Sequence, residues 1–477
     1  MKRFFLIVAI ATWGSLIRGH AQQAAGITYT LKQCIDTGIS RNLVVNQNGL
    51  QVKSNEIAKR QSRLNILPDL NGSANLGINQ GRSIDPFTNG YINEQVNYSS
   101  YGLSSGVVLF NGLSMQHANR QTSLAYEASK MDWQQAKDNL AINIVLAYLT
   151  VLSNEDQLAQ ARLQEELTSR QSQRLDTLLK DGAIKPSDAS DMKGQLASDR
   201  LSVLNRENAL ETAKLNLCQF MNIQYDKSMQ LEKIDPAVYI SNYTQTPGEI
   251  YETALRQFAR VRSEELRTRS FESAVKVARG QLFPRLSLNG NVGTNYSSAA
   301  TQNTFINTSD VQTTSYVIIN GTNSPVFAKQ NNFSNDKIRY SKQLNNNVGS
   351  SVNLNLTIPL FNNLFQRNRV KLAKLDVINQ ALTEQSVKTG LQQDIERAHL
   401  NMTTAFESYK TLIDQVAAYK ESFRAAEIRF NEGVGNSIDY LIAKNNLDRA
   451  SSNLIISRYD YVLKTKILDY YQGKAAW

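Results

Sequence analysis

The residue types that most often build catalytic or metal sites are scarce in this chain of 477 residues. Beyond the first 21 residues the histidines are His117 and His399, which lie in long helical patterns away from either cysteine. Neither histidine has a plausible set of partner ligands for a metal. The sequence also has no Gly-rich phosphate loop. It therefore predicts neither an enzyme nor a bound cofactor or metal.

The N-terminus has the pattern of a secretory signal. Lys2 and Arg3 give a basic start, residues 4–17 are mostly apolar, and residues 19–21 form a small-residue cleavage site. A transmembrane anchor is the alternative, but the apolar run is short and is interrupted by glycine and serine. Beyond the signal, no apolar run is long enough to predict a transmembrane helix. We therefore expect an exported protein whose mature chain begins after residue 21.

Cysteine content and charge indicate how the chain is cross-linked and which classes of partner it can bind. Only Cys34 and Cys218 are present, too few for a disulfide scaffold. A bond between them is possible, but we expect two unpaired, buried thiols. The net charge is +10, which falls to +7 without the three basic residues of the signal, and the charges are spread along helical faces. We therefore expect no nucleic-acid partner.

The chain repeats itself. Residues 37–79 align without a gap on residues 253–295, and residues 100–217 align on residues 351–468. Such a repeat is too long for a solenoid unit. It predicts two structural repeats, 22–247 and 248–477, and it predicts a longer connection between the aligned blocks of the second one.

Each repeat contains an unusually long helical pattern. Residues 113–181 contain neither Gly nor Pro, and residues 364–432 contain only Gly390. Apolar residues recur at three- and four-residue spacing, for example Leu140, Ile144 and Ala147. We predict long helices over 112–181 and 363–432, each about 100 Å long at the usual rise per residue. Helices of that length need neighbouring helices along their whole length.

Each long helix is expected to end at a glycine turn. The turns are residues 181–188 and 432–439, and Gly182 and Gly433 are C-cap signals. Returning helices then run to about Met221 and Tyr471. Their N-caps are predicted to be Ser187 or Asp188 in the first repeat, and Ser437 or Asp439 in the second. An irregular segment, 222–247, separates the repeats.

Four segments alternate between apolar and small polar residues. They are 69–79, 99–110, 285–296 and 348–361, and earlier helices are predicted to end before Pro68 and Pro284. A soluble sheet with one face on a core shows the same alternation. Export, and a segment length suited to a tilted membrane strand, favour a membrane sheet instead. Four strands cannot close a barrel, so that interpretation requires several copies of the chain.

Nearly the whole mature chain, from about Tyr29 to Gln472, resembles the TolC family of outer membrane efflux proteins. The resemblance is carried by the duplicated order of helix, strand, loop, strand, long helix, turn and helix. Sharper carriers are the strand-to-helix junctions at 108–112 and 359–363 and the turns at Gly182–Asp188 and Gly433–Asp439.

The resemblance implies a mainly α-helical fold with a membrane β-barrel. Three copies would pool four strands each into one twelve-stranded barrel in the outer membrane of a Gram-negative bacterium. The long helical hairpins would form a periplasmic tunnel, with the segment 222–247 around its middle. Such a channel conducts substrates passively from a periplasmic membrane fusion (adaptor) protein and an inner-membrane pump, so its partners are a homotrimer, the adaptor, the pump and outer membrane lipid.

The resemblance also assigns site residues. The pore constriction would be formed by acidic residues near the turns, which are Asp188, Asp191 and Asp439. The turns that contact the adaptor would include Gly182, Lys185, Gly433 and Gly435. The membrane boundary would lie at the junction residues Pro68, Phe110, Pro284, Pro359 and Phe361. Two positions depart from the family pattern: Gly435 replaces a basic residue that helps to latch the closed state, and Ile442 replaces an acidic one.

Two other classes of protein are alternatives. A periplasmic coiled-coil adaptor, or a structural protein without its own pore, would share the helical hairpins but lack the four strand segments. A stand-alone porin would need many more strands and no such helices. The sequence leaves the cargo open between drugs, metals and proteins.

Overall fold

The computed structural model describes residues 28–84, 89–93, 95–234 and 243–474. The signal expected at residues 1–21 and part of the segment 222–247 lie outside these ranges. The described residues form two compact units. The first takes residues from 1–50, 131–262 and 387–477, and the second takes residues from 51–130 and 263–386. Each unit therefore draws on both predicted repeats rather than coinciding with one of them.

The helices come in pairs of nearly equal length. In chain order they are α1 (Leu31–Arg41), α2 (Leu43–Leu64), α3 (Ser114–Lys180), α4 (Pro186–Met221), α5 (Pro247–Gln257), α6 (Ala259–Gly280), α7 (Tyr340–Asn346), α8 (Phe365–Asn431) and α9 (Ser437–Tyr471). α1 and α5 have 11 residues each, α2 and α6 have 22, α3 and α8 have 67, and α4 and α9 have 36 and 35. Among the described helices only α7 has no counterpart, so the helical part follows the duplication of the sequence.

The helices ahead of the strands are broken, where the sequence pattern predicts one continuous helix in each repeat. Asn42 and Phe258 take extended backbone conformations and separate α1 from α2 and α5 from α6. The Asn42 side chain accepts a hydrogen bond from Val44 N at 2.9 Å, which favours a new helix start at that point. Both short helices begin with a capping box, formed by Thr30 with Gln33 and by Thr246 with Glu249.

The first unit contains the buried residues that the helical spacing predicts. One core cluster surrounds Ile144 and Tyr148, which are fully buried, and includes Leu152. A second cluster surrounds Ile395 and Tyr461, also fully buried. Ile144 and Ile395 occupy equivalent positions of the two aligned blocks, so the repeats build equivalent cores around their long helices.

Four strands of the second unit form one antiparallel sheet, in the order β10 (Gly349–Thr357), β7 (Arg285–Ser297), β5 (Val96–Phe110) and β2 (Asn71–Asn79). All described strands, in chain order, are β1 (Thr28–Tyr29), β2 (Asn71–Asn79), β3 (Arg82–Ile84), β4 (Tyr91–Asn93), β5 (Val96–Phe110), β6 (Gln230–Leu231), β7 (Arg285–Ser297), β8 (Thr301–Ile319), β9 (Thr322–Lys337) and β10 (Gly349–Thr357). β1 and β6 form a separate parallel pair in the first unit.

The sheet has one apolar and one polar face, because its register keeps the two residue types apart. Leu103 is opposite Val292, and Leu354 is opposite Leu288, with the four side chains between 36% and 65% exposed. The other face carries small polar residues and lines a cavity that includes Ser73, Ser100, Asn291, Asn295 and Ser351. Exposed apolar side chains on one face and small polar ones on the other fit a membrane sheet around a watery lumen.

The strand predicted over 348–361 is wrong at its end, because β10 stops at Thr357. Pro359 has no N–H for a further ladder bond, and Phe361 lies beyond the strand with 77% of its surface exposed. The matching Phe110 is the last residue of β5. Leu113 and Leu364, at equivalent positions of the repeats, then enter the long helices at positive φ, 62° and 61°. Positive φ is costly for leucine, so both junctions share the same strained entry.

The connection between β7 and β10 is more ordered than the sequence analysis assumes. Strands β8 and β9 form a long antiparallel hairpin with a turn at Asn320 and Gly321, whose φ angles are 51° and 84°. Two successive positive φ values are typical of a type I′ hairpin turn. Helix α7 follows the hairpin. The resemblance places a loop between these strands, but regular backbone pairing does not require apolar side chains, so this Asn- and Thr-rich segment forms a hairpin.

Candidate gate at the turns between the long helices

The turns at residues 181–188 and 432–439 both lie in the first unit and have the same backbone geometry. Gly182 and Gly433 adopt φ values of 71° and 72°. Ala183 N donates to Leu178 O at 2.9 Å, and Val434 N donates to Arg429 O at 3.0 Å. These six-to-one bonds after a left-handed glycine form the Schellman motif. The C-cap predictions for both glycines are therefore confirmed.

The N-cap predictions are wrong in both repeats. α4 begins after Lys185, which makes no side-chain cap, with Pro186 in the first helical position. α9 is capped by Asn436, whose Oδ1 accepts from Asp439 N at 2.7 Å. A proline at the helix start already lacks the N–H that a cap would satisfy, and asparagine is among the best N-caps. The carboxylates of Asp188 and Asp439 therefore do not cap these helices.

Two of the predicted acidic residues converge on one buried hydroxyl. Ser437 Oγ lies 2.8 Å from Asp188 Oδ1 and 3.2 Å from Asp191 Oδ2. Ser437 is only 2% exposed, whereas Asp188 is half-buried and Asp191 is exposed. The hydroxyl has one proton to donate, so the two carboxylates share it. This contact joins the start of α4 to the start of α9.

The remaining predicted site residues are not part of this contact. Asp439, Lys185 and Ile442 are exposed, and within the described ranges no ion pair involves Lys185. Gly435 packs closely: a Cβ atom there would lie 3.1 Å from Phe430 N and 3.2 Å from the carbonyl carbon of Arg429. A basic side chain at 435, as in the family pattern, would therefore require the end of α8 to shift.

An aromatic cluster supports the turn of the second repeat. The Tyr440 ring lies 5.0 Å from the Phe430 ring and 5.5 Å from the Phe423 ring, measured between centroids. Met192 of α4 and Leu175 of α3 bury the same cluster. Burial raises the pKa of Tyr440 to about 12. The phenol therefore stays neutral at physiological pH and acts as part of the packing.

Two helical turns after Ser437, α9 contributes to a buried ionic cluster. The sequence alone does not predict this cluster. Lys444 Nζ lies 3.0 Å from Asp199 Oδ2 and 2.6 Å from Asp448 Oδ2. Thr168 Oγ1 donates to Asp199 Oδ2 at 2.6 Å, and Gln195 Nε2 donates to Asp199 Oδ1 at 2.7 Å. Burial raises the pKa of Asp448, and Lys444 opposes that shift. The cluster ties α3, α4 and α9 together. Its one sequence signal is the spacing of four between Lys444 and Asp448.

The ends of α3 and α8 are also joined. The Arg174 guanidinium donates to the Asn431 side chain and to Asn431 O, the latter at 3.4 Å. Asn431 is the last residue of α8, where backbone carbonyls lack helical partners. Within the first hairpin, Lys193 Nζ lies 2.9 Å from Asp176 Oδ1. The α3–α4 and α8–α9 hairpins are therefore held together by polar contacts near both turns.

No described helix is both long enough and apolar enough to span a membrane. No three His, Cys, Asp or Glu side chains among those residues are grouped so that they could hold a metal ion. Cys34 and Cys218 are both free and buried, as expected.

Comparison with solved structures shows the fold. VceC, an outer membrane protein of Vibrio cholerae, has 12% identity and a TM-score of 0.73, over 93% of this chain and 95% of its own. The CmeC outer membrane channel of Campylobacter jejuni has 16% identity and a TM-score of 0.73, over 98% and 94%. The MtrE outer membrane channel of Neisseria gonorrhoeae has 16% identity and a TM-score of 0.70, over 93% and 88%. A search of curated proteins gave no significant match.

A family model shows the relationship in sequence. The model described as outer membrane efflux protein matches residues 36–222 and 250–469, which include both long hairpins and all four strands of the sheet. The unmatched stretch between these ranges falls on the irregular segment that separates the predicted repeats. Matched over most of its length in this way, the chain belongs to the outer membrane efflux protein family.

Proposed function

We propose that this outer membrane efflux channel opens and closes at its two turns, residues 181–188 and 432–439. The observation that carries the proposal is the shared hydroxyl of Ser437 between Asp188 and Asp191. It joins the two hairpins within one chain, so moving the α8–α9 hairpin away from α4 must break it. A bond that has to break during opening is a latch for the closed state.

The latch differs from the family pattern in its chemistry. Where Gly435 and Ile442 leave out a basic and an acidic side chain, this chain supplies other contacts between the hairpins. Ser437 meets Asp188 and Asp191, Lys444 meets Asp199, and Arg174 meets Asn431. Hydrogen bonds to charged groups stabilise by about 1.5–3 kcal/mol each. A partner that opens the channel would have to break these contacts.

The edges of the sheet support assembly as a homotrimer. β2 and β10 are the outer strands of the sheet, and each has an unpaired edge in one copy of the chain. Open strand edges are not tolerated in the hydrocarbon region of a membrane. Three copies with four strands each would pair those edges and close a twelve-stranded barrel, whereas a single copy is too small to close.

The acidic residues near the turns would surround the mouth of that trimer. Three copies of Asp439 and of Asp188 would then lie near one axis, where like charges repel by about 2 kcal/mol for a pair about 8 Å apart at an effective dielectric of about 20. A ring of carboxylates draws cations into a pore. Asp439 is exposed and does not cap its helix, which leaves its charge available for this role.

Members of the family work with a periplasmic adaptor and an inner-membrane pump in tripartite systems. We propose that the adaptor contacts this chain at the turns around Gly182, Lys185, Gly433 and Gly435, which are exposed or half-buried. The pump would supply the energy. The adaptor function considered as an alternative does not account for the sheet with its exposed apolar face.

The latch is tested by single-channel conductance of Ser437→Ala in planar bilayers. Loss of the hydroxyl removes the hydrogen bonds to Asp188 and Asp191, so we expect a higher mean conductance at an unchanged yield of trimer. Ser452→Ala, on the same helix, is the matched control. Equal conductance of the two variants would show that Ser437 does not hold the mouth closed.

A further inference from the structure

Helix α7 lies against the apolar face of the sheet, at the end away from the long helices. The Tyr340 ring lies 4.6 Å from the Tyr296 ring. The Tyr340 hydroxyl is 3.1 Å from Ser99 Oγ and 2.9 Å from the Tyr101 hydroxyl. Ser99 is opposite Tyr296 in the register, and both share a face with Leu103. α7 therefore covers the face that carries apolar side chains, not the polar face.

The helix is firmly attached there. Gln343 is 1% exposed, and its side chain accepts from Ser297 N at 3.0 Å and donates to Ser297 O at 3.0 Å and to Ile338 O at 2.9 Å. Thr294 Oγ1 donates to Leu344 O at 2.6 Å. These bonds fix α7 on the end of β7, so the side chains around it have a defined place on the sheet.

Three tyrosines lie at the end of the apolar band on this face of the sheet. Tyr101, Tyr296 and Tyr340 lie where the exposed apolar band of the sheet ends, next to Leu103 and Val292 in the register. In membrane barrels, aromatic girdles mark the level at which the apolar band meets the lipid headgroups. Side chains that flank α7 would therefore lie among headgroups.

Three basic residues lie within α7 or just before it. Lys337, Arg339 and Lys342 are exposed, and no ion pair holds them within the described part of the chain. Hydrogen bonds from Ser334 and Thr304 lower the pKa of Asp336, so this carboxylate stays charged and offsets only the neighbouring Lys337. The four strands of the sheet carry only one charged residue, Arg285, at the opposite end of β7. The three positive charges are thus a local feature of the α7 end.

We propose that Lys337, Arg339 and Lys342 bind the phosphorylated headgroup of an outer-leaflet lipid, while Tyr340 and Tyr296 contact its acyl region. Positive charges beside an aromatic and apolar surface complement a lipid that has an anionic headgroup and apolar chains. Lys342 Nζ already donates to Gln302 Oε1 at 2.9 Å, and its two other protons remain available. The proposal goes beyond the gate and rests on an orientation in which the β8–β9 end of the sheet, opposite its junctions with the long helices, lies outside the cell.

The test uses the full-length trimer in uncharged detergent, with phosphatidylglycerol and phosphatidylcholine as probes and native mass spectrometry as the readout. We expect the wild type to bind phosphatidylglycerol at least ten times more tightly than phosphatidylcholine. Each lost charge should weaken that binding about 5-fold, so the triple variant Lys337→Gln, Arg339→Gln, Lys342→Gln should lose about 100-fold. The control triple Lys410→Gln, Lys420→Gln, Arg424→Gln removes the same charge from α8 and should bind like wild type.

Other results would overturn the proposal. An equal loss in both triples would show a general charge effect, and displacement of phosphatidylglycerol by inorganic phosphate would indicate a free-phosphate site. If the triple variant fails to assemble, the three single variants carry the test, and unchanged binding in all three contradicts it. External labelling of an Asn303→Cys protein in intact cells tests the orientation separately from the headgroup site. Labelling in intact cells without a lipid preference would contradict only the headgroup site. Labelling only after lysis would contradict the orientation as well.

Discussion

Replacing Lys444 by methionine should loosen the mouth of the channel. Lys444 is 4% exposed and lies 3.0 Å from one buried carboxylate and 2.6 Å from another, those of Asp199 and Asp448. Methionine keeps most of the length of the side chain and removes its charge. Two carboxylates are then left without their cation in a buried site, which costs about 3–5 kcal/mol. Burial already raises the pKa of Asp448, and loss of Lys444 removes the charge that opposes this.

Hydrogen exchange over the first turns of α9 measures this effect in the assembled trimer. A cost of 3–5 kcal/mol corresponds to a loss of protection of about 100-fold or more, and single-channel leak should rise with it. Lys464→Met is the matched control, because Lys464 is also on α9 and pairs with Asp460 four residues away at 3.6 Å, but near the surface. Its loss should cost less than about 1 kcal/mol.

A second variant tests whether the unpaired carboxylates cause the loss of protection. Adding Asp199→Asn and Asp448→Asn to Lys444→Met removes the uncompensated charges and should restore most of the protection, because a neutralised buried cluster is often nearly as stable as the ionic one. If Lys444→Met and Lys464→Met showed the same exchange and the same leak, the buried cluster would have no part in holding the hairpins together.

Three further predictions concern topology, thiols and turns. Cysteines at Asn303 and Asn331, both exposed on the β8–β9 hairpin, should react with an impermeant reagent in intact cells, and reaction only after lysis would invert the orientation. The native thiols should stay unlabelled in the folded trimer at neutral pH and react after denaturation, because both are buried and burial raises the pKa of Cys34 to about 12. Since an unfolded thiol titrates near 8.5, the unfolded state releases this proton first, so the unfolding free energy should fall as pH rises above about 9 in a denaturation series; a constant value would contradict the burial. Gly433→Ala should destabilise the turn by about 1–2 kcal/mol because of its positive φ, whereas Gly390→Ala inside α8, with open space around it, should be neutral or stabilising by up to about 1 kcal/mol in the same hydrogen-exchange assay.

Local signals predicted much of the fold. The three- and four-residue spacing identified the buried face of α3 and α8 around Ile144 and Ile395, because a long helix can bury only one stripe. Gly182 and Gly433 were identifiable because a left-handed C-cap favours glycine. Alternation located the sheet because its two faces meet different surroundings.

Features that depend on tertiary contacts or on neutral composition were missed. Nothing in the sequence around Lys444 shows that Asp199, on another helix, closes the ionic cluster. The sequence does not single out Asn436 as the cap of α9, because Ser437 and Asp439 nearby are equally good capping types. The β8–β9 hairpin has few regularly alternating apolar residues, so its strands leave a weak periodic signal.

Ion selectivity of the reconstituted trimer tests the acidic mouth most directly. Asp188→Asn with Asp439→Asn removes the charges but keeps a side-chain oxygen that can accept the hydrogen bond from Ser437, and neither residue caps its helix. In a tenfold KCl gradient we predict a cation-selective reversal potential for the wild type. The double variant, at an equal yield of trimer, should lose part of that selectivity and become less sensitive to block by multivalent cations. Asp460→Asn, further along α9, should leave both properties unchanged. A double variant with wild-type selectivity and block would contradict an acidic gate at the turns.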